Sequence, residues 1–150
     1  VLGPSGEDDM AITVLLIDDE SPFVEALAKR LLNRGFAIVK STSGPEALKK
    51  LQENPAIDVA VCDVKMPVMD GIETLRLIKS EYPMVEVILL TGHATVQSAI
   101  QGMRLGALDY LMKPCDMDLL ITKIHEAKDK KSAQENKIAQ AIVDLEGPPK

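Results

Sequence analysis

The sequence predicts an α/β fold, a parallel sheet with helices on both faces. Three observations carry that expectation. Short apolar runs alternate with amphipathic stretches five times along the chain. The runs are apolar nearly throughout, as strands buried on both faces must be, rather than alternating like half-exposed strands. Helix caps, Gly and Pro stand where one period gives way to the other.

The first run, Ile12 to Ile17, is read as a strand. Ser21-Pro22 then offers a helix cap and a first-turn proline. Val24, Leu27, Ala28 and Leu31 follow at helical spacing, and Gly35 stops the helix. Phe36 to Lys40 is the second strand. Gly44-Pro45 opens a second helix with Ala47, Leu48 and Leu51 on one face. Ile57 to Cys62 is the third strand and ends at Asp63. Asp70 with Glu73 has the spacing of a capping box, and its helix turns Ile72, Leu75 and Ile78 inward. Pro83 breaks the chain before a strand from Val85 to Leu90. Val96, Ile100 and Met103 mark a fourth helix, which Gly106 ends. Ala107 to Met112 is the fifth strand. After Pro114 a helix from about Asp116 carries Leu119, Leu120, Ile124 and Ala127.

Lys128 to Lys131 is mostly basic. Ala133 to Leu145 reads as more helix, either a continuation of the last one or a linker, and Gly147-Pro148-Pro149 halts it. The expected organisation is a disordered leader or cloning scar over residues 1–10, a folded domain over 11–128 and a helical extension or linker over 129–150. Ile138, Ile142 and Leu145 give that tail an apolar stripe suited to a linker or a dimer-forming helix.

Composition narrows the function. With 150 residues and 46% apolar side chains the chain suits one core. A net charge of −6 repels nucleic acid and anionic lipid, so direct nucleic-acid binding by this domain is not expected. No apolar run is long enough to span a bilayer, and residues 1–9 lack the parts of a secretory signal, so a cytoplasmic, membrane-free protein is expected. Cys62 and Cys115 form no metal-binding or redox motif and read as a buried apolar residue and a loop thiol. Met66, Met69 and Met112 read as fillers of packing gaps, and His125 as a surface helix residue.

The chemistry collects at the strand ends. In an open parallel sheet, ligands bind at the carboxyl edge near the point where strand order reverses. The first strand ends in Asp18-Asp19, the third in Asp63, the fourth in Thr91, the fifth in Lys113. Each is commonplace alone; together they bring three carboxylates, a hydroxyl and an ammonium to one edge. Crowded carboxylates repel, and a hard divalent cation relieves them. Mg2+ (with Mn2+ as the alternative) is expected on Asp18, Asp19 and Asp63. Asp63 is then placed to attack a phosphorylated donor in line, with Lys113 and Thr91 meeting phosphoryl oxygens.

The motifs Leu16-Ile-Asp-Asp-Glu20, Val61-Cys-Asp-Val-Lys-Met-Pro67 with Asp70-Gly71, Leu89-Leu-Thr-Gly-His93 and Asp109-Tyr-Leu-Met-Lys-Pro114 resemble the receiver domain of two-component response regulators. The stretches Thr91-Gly-His-Ala-Thr95 and Gly106-Ala-Leu-Asp-Tyr110 are most similar to receivers of enhancer-binding transcriptional regulators. The resemblance implies a flavodoxin-like five-stranded sheet of order 2-1-3-4-5. It implies that Asp63 accepts phosphate from a sensor histidine kinase or phosphotransfer protein. It implies metal ligation by Asp18, Asp63 and the backbone carbonyl of Lys65, with Asp19 acting directly or through water. Tyr110 falls at the family's switch aromatic, and Thr91 at its partner. Many such receivers pair through the face made by the fourth helix, fifth strand and fifth helix, so a homodimer there is implied too. Gly92 should leave the phosphate open to small donors, and Lys65 and His93 are placed to tune dephosphorylation. On this reading the domain is a signalling switch rather than an enzyme with an outside substrate. Two alternatives stand beside it, a phosphate-independent interaction module and an aspartyl-phosphate hydrolase. The hydrolase needs an aspartate two residues past the nucleophile, and that position is Lys65. Nucleotide-binding glycine motifs are absent from the sequence.

Overall fold

The computed structural model describes residues 11–147. The expected leader and Pro148-Pro149 lie outside the described residues. Five parallel strands, β1 (Thr13–Ile17), β2 (Ala37–Ser41), β3 (Val59–Cys62), β4 (Glu86–Thr91) and β5 (Asp109–Met112), form one sheet of order β2-β1-β3-β4-β5. Between and after them run α1 (Ser21–Asn33), α2 (Gly44–Glu53), α3 (Gly71–Glu81), α4 (Val96–Arg104) and α5 (Met117–Glu146). All four strand pairings are parallel, so every connection crosses over through a helix. Strand limits move by one or two residues from expectation. Ile57, for instance, is buried in the loop before β3.

Alternate strand residues feed two cores. Val14, Leu16, Val61, Ile88 and Leu90 face α1 and α5, meeting Leu27, Leu31, Leu120 and Ile124. Leu15, Ile17, Ala60, Val87 and Leu89 face the other way, toward α2 and α3, meeting Ala47, Leu51, Leu75 and Ile78. Each fully buried Leu or Ile contributes about 1.5–3 kcal/mol. The sheet is therefore the rigid element on which both edges are mounted.

Local chemistry differs from expectation at several points. Ser21 is already inside α1. The cap position is Glu20, whose side chain makes no capping bond, and Pro22 holds the first turn. The Asp70 side chain accepts from the Glu73 N–H, but Glu73 returns nothing to Asp70 because its carboxylate pairs with Arg76, so the box is half made. Ile72 is only partly buried. The full capping box belongs to α4, between Thr95 and Ser98.

The largest departure is α4 itself. Val96, Ile100 and Met103, the stripe that predicts the helix, face solvent, and Gly102 is its only buried residue. A Cβ at Gly102 would stand 2.5 Å from Leu89 Cδ1, so α4 docks by bringing its backbone close to β4. Met112 is exposed rather than filling a gap, and Leu119 is exposed too. The five apolar side chains share the α4–β5–α5 surface.

Helix α5 is one continuous element of 30 residues, so the tail continues the last helix. Its basic run pairs with carboxylates of the sheet. Lys128 and Lys131 Nζ lie 3.0 and 2.8 Å from Asp58 Oδ1, and Lys130 Nζ lies 3.5 Å from Glu86 Oε1. Lys131 is buried, as are both carboxylates. The run fastens α5 to the amino edge of the sheet, where β3 and β4 begin. His125 is exposed on α5, with its ring centroid 5.6 Å from that of Phe36.

Candidate functional site

The carboxyl edge of the sheet gathers the predicted residues. Asp18 follows β1, and its N–H donates to Ser41 O at 3.2 Å, so the end of β2 fixes its backbone. Asp18 Oδ1 accepts the Glu20 N–H at 2.9 Å, which turns the chain into α1. Asp63 follows β3 with its N–H on Ile17 O at 2.9 Å. Its Oδ1 accepts the Val64 N–H at 2.8 Å.

Gly71 seats this loop. Its N–H reaches Val64 O at 2.7 Å, and a Cβ there would stand 1.9 Å from the carbonyl oxygen of Asp63. Only glycine lets the start of α3 lie so close beneath Asp63. The spacing Asp63 to Gly71 is legible in the sequence; the close approach is not.

Lys113 is the cation of the site. Its Nζ lies 2.6 Å from Asp18 Oδ2, 3.3 Å from Glu20 Oε1 and 4.0 Å from Asp63 Oδ2. It also stands 3.9 Å above the centroid of the Phe23 ring on α1, a cation–π contact. The backbone N–H of Lys113 donates to Thr91 O at 2.9 Å, and the Lys113–Pro114 peptide is cis. Burial pulls the Lys113 ammonium down, but the Asp18 hydrogen bond and the charges of Asp18 and Asp63 outweigh it and raise the group above the ordinary lysine value. Burial also pushes the Asp18 carboxyl up, and the Asp63 charge adds to that; Lys113 and the Glu20 N–H oppose it without reversing it.

Asp18, Glu20 and Asp63 each bring a carboxylate oxygen to within 4.8 Å of the others. The donors are all oxygen, with no imidazole or thiolate among them. Burial first, and then the Asp63 charge, raises the Asp18 carboxyl among them. That donor set fits a hard divalent cation. Glu20 is the member sequence reasoning did not single out. It reads as the residue before a helix, and only the turn at Asp18 brings its side chain back to Lys113. Phe23 was likewise missed, because a lone aromatic at helical spacing looks like core.

The other predicted residues divide by burial. Thr91 is fully buried at the end of β4, with its Oγ1 accepting the His93 N–H at 3.0 Å. Asp19, Lys65 and His93 are exposed and rim an open cavity of about 380 Å³ above Asp63. Asp19 lies outside the close carboxylate trio. Gly92 is exposed, and a Cβ there would meet only Lys113 Cδ at 3.9 Å, so space does not require glycine. Tyr110 is half-buried on β5, and its hydroxyl lies 2.6 Å from Ser98 Oγ and 3.4 Å from the Thr95 N–H. It is therefore tied to the capped start of α4.

Comparisons with known proteins agree with this geometry. The family model described as the response regulator receiver domain matches residues 14–125. The transcriptional regulatory protein ZraR of Klebsiella oxytoca is 37% identical over 123 residues, which is 82% of this chain and 27% of that protein. The response regulator protein FleR of Pseudomonas aeruginosa is 40% identical over 112 residues, 75% of this chain and 24% of that protein. The chain thus spans about a quarter of the length of these curated relatives. A crystal structure of a response regulator receiver domain protein from Clostridium thermocellum superposes with a TM-score of 0.78 at 36% identity, over 82% of this chain and 98% of that one. Among the described residues no helix is long and apolar enough to cross a membrane. Fold, strand-end residues and family match converge, and the chain belongs to the response regulator receiver domain family.

Proposed function

We propose that the chain is a phosphorylation-dependent switch of a two-component system, with Asp63 as phosphoacceptor and a sensor histidine kinase or phosphotransfer protein as donor. One observation carries the reading. Asp63 is a buried carboxylate with Oδ1 held by the Val64 N–H, Oδ2 facing Lys113, and an open mouth above it. An oxygen of Asp63 attacks the phosphorus in line. The bond to the donor's imidazole nitrogen breaks, and the imidazole keeps the electron pair and takes a proton. Lys113 and the Thr91 hydroxyl meet the charge on the transferred group.

Asp18, Asp63 and the backbone carbonyl of Lys65 would hold Mg2+ (or Mn2+), with Asp19 direct or through water and Glu20 within reach. Bound there, the ion would neutralise phosphoryl oxygens during transfer. The all-oxygen trio supports that assignment.

The output follows from the two hydroxyls. Phosphorylation adds close to two negative charges at Asp63. Thr91 leaves the His93 N–H to meet a phosphoryl oxygen, and Tyr110 leaves Ser98 and turns into the space released. Because Tyr110 bridges to the Thr95–Ser98 capping box, its departure loosens the start of α4. The exposed apolar surface of Val96, Ile100, Met103, Met112 and Leu119 is then remodelled, and a homodimer through the α4–β5–α5 face is its use. Likeness to transcriptional regulatory proteins makes control of transcription, through a domain outside this chain, the downstream role. The compartment is the cytoplasm, where such kinases present their phosphohistidine. The switch body is residues 11–128, and 129–150 are a helical extension or linker, of which α5 is described to Glu146.

The test is intact-mass measurement after incubation with Mg2+ and acetyl phosphate or phosphoramidate, beside Asp63→Asn. A single metal-dependent adduct, absent from the variant, is expected. No adduct from either small donor or from a panel of histidine kinases would overturn the reading.

A further inference from the structure

Phe23 stands where the first turns of α1 meet the carboxyl edge. Val24 and Leu27 of the same helix are buried, and the Phe23 ring packs half-buried against the same core. The docking of α1 therefore fixes the ring in place. Phe23 lines a small void with Asp18 and Asp63, and it also walls a cavity of about 220 Å³ with Pro114 and Cys115. Apolar packing alone does not call for a charge on this ring, yet Lys113 Nζ stands 3.9 Å from its centroid. The Lys113 side chain is only 13% exposed. A cation–π contact strengthens as water is excluded from it.

We propose that Phe23 is a positioning residue for phosphoryl transfer, its ring face keeping the Lys113 ammonium beside Asp63 while that ammonium exchanges its carboxylate partners. The inference rests on the reading of Asp63 as phosphoacceptor. Three features support it. The nearest partner of Lys113 is not the one the reaction needs. Its Nζ is 2.6 Å from Asp18 Oδ2 but 4.0 Å from Asp63 Oδ2, beyond hydrogen-bond reach. To meet a phosphoryl oxygen on Asp63, the ammonium must let go of Asp18. Next, every carboxylate close to it has a competing use. Asp18, Glu20 and Asp63 form the oxygen set that suits a cation, and Asp63 is the group to be phosphorylated. A ring face ligates no hard cation and bonds no phosphoryl group, so it stays available to the ammonium throughout. Finally, the ring attracts without a fixed bond direction, out to about 6 Å from its centroid. Lys113 can thus slide from Asp18 toward Asp63 without release into water. Its stem is long and flexible, and confining it beforehand spares the transfer step that loss of freedom. A leucine at this position would keep the apolar packing and supply no quadrupole.

Two measurements on the whole chain test it. NMR without Mg2+ reads the contact itself. The ε-methylene protons of Lys113, assigned with Lys113→Arg, are expected upfield of those of the other lysines because of the Phe23 ring current. They should return to the ordinary position in Phe23→Leu and stay upfield in Phe23→Tyr. The initial rate of adduct formation with phosphoramidate at saturating Mg2+ reads the function, and a small donor leaves kinase docking out of the result. Phe23→Leu is expected to slow it about three- to thirtyfold, the span of a partly desolvated cation–π contact, and Phe23→Tyr to stay within about twofold of native. Pentafluorophenylalanine in place of Phe23 keeps the ring's shape and reverses the charge of its face, so it is expected to slow the reaction as leucine does. Circular dichroism checks that each variant is folded, and the fluorinated chain decides alone if Phe23→Leu is not. A Lys113 resonance unmoved by Phe23→Leu, or a fluorinated chain that reacts at the native rate, would overturn the proposal. A native chain that forms no adduct overturns instead the phosphoacceptor reading on which it rests.

Discussion

The two edges of the sheet are built from the same ingredients and behave in opposite ways. At the amino edge, Asp58 and Glu86 are matched by Lys79, Lys128, Lys130 and Lys131, and Asp58 also accepts the Thr13 N–H at 2.9 Å. At the carboxyl edge, Asp18, Glu20 and Asp63 share one ammonium, Lys113. Burial alone would raise the pKa of Asp58, yet the Lys131, Thr13 and Lys128 hydrogen bonds hold it below the usual aspartate value. Asp18, with one lysine and a neighbouring carboxylate, is held above it. Cation excess makes an edge that fastens a helix. Carboxylate excess makes an edge whose all-oxygen donor set fits a hard cation.

Breaking the matched edge has the largest expected effect. Asp58→Ala leaves Lys131 buried without its carboxylate and should cost about 3–5 kcal/mol, read by urea unfolding. The same group gives a pH signature. Its folded pKa is depressed, so its stabilisation is complete above the ordinary value near 3.8 and is lost as pH falls through the lower folded value. The loss of melting temperature between pH 5 and acid should be smaller in Asp58→Asn than in the native chain. An equal slope would remove Asp58 from the account.

Filling the unmatched edge comes next. Mg2+ at about a hundredfold above its dissociation constant should stabilise the fold by about 2.7 kcal/mol. Asp18→Asn should abolish that increment, seen in melting with and without the ion. Asp58→Ala should keep the full Mg2+ increment, because the two edges are at opposite ends of β3 and act independently.

Removing a charge from the crowded edge should do little harm. Asp63→Asn relieves repulsion with Asp18 and should leave stability unchanged or raise it by up to about 1 kcal/mol, while eliminating the adduct. A large loss would show that Asp63 is held as Asp58 is.

The smallest effect is kinetic. Lys65→Ala at the rim should change the lifetime of phospho-Asp63 by a few-fold with no change in melting temperature, measured by loss of adduct over time. An unchanged lifetime would make Lys65 a solvated loop residue.

Much of this comparison was legible in the chain and part of it was not. The carboxyl edge could be read because four of the five strands end at a chemistry-bearing residue, and continuous apolar runs giving way to period-3.6 stretches locate strand ends. Glu20 and Phe23 escaped because their roles depend on a turn that folds them back onto Lys113. At the amino edge the basic run was legible but its partners were not. Its partners Asp58 and Glu86 lie 73 and 44 residues away from Lys131 and Lys130, and nothing local marks them. α4 shows the same limit. Spacing gave the helix, but the apolar stripe turned outward because Gly102 rather than Ile100 meets Leu89.

Local periodicity, caps and turn residues therefore determined the elements, their order and the residues at the strand ends. These depend on interactions within a few positions of sequence. The tertiary structure alone decided which charges are matched, which apolar stripe is covered and which glycine is indispensable. Those are properties of long-range contact, where the energy of a side chain depends on what the sheet brings beside it.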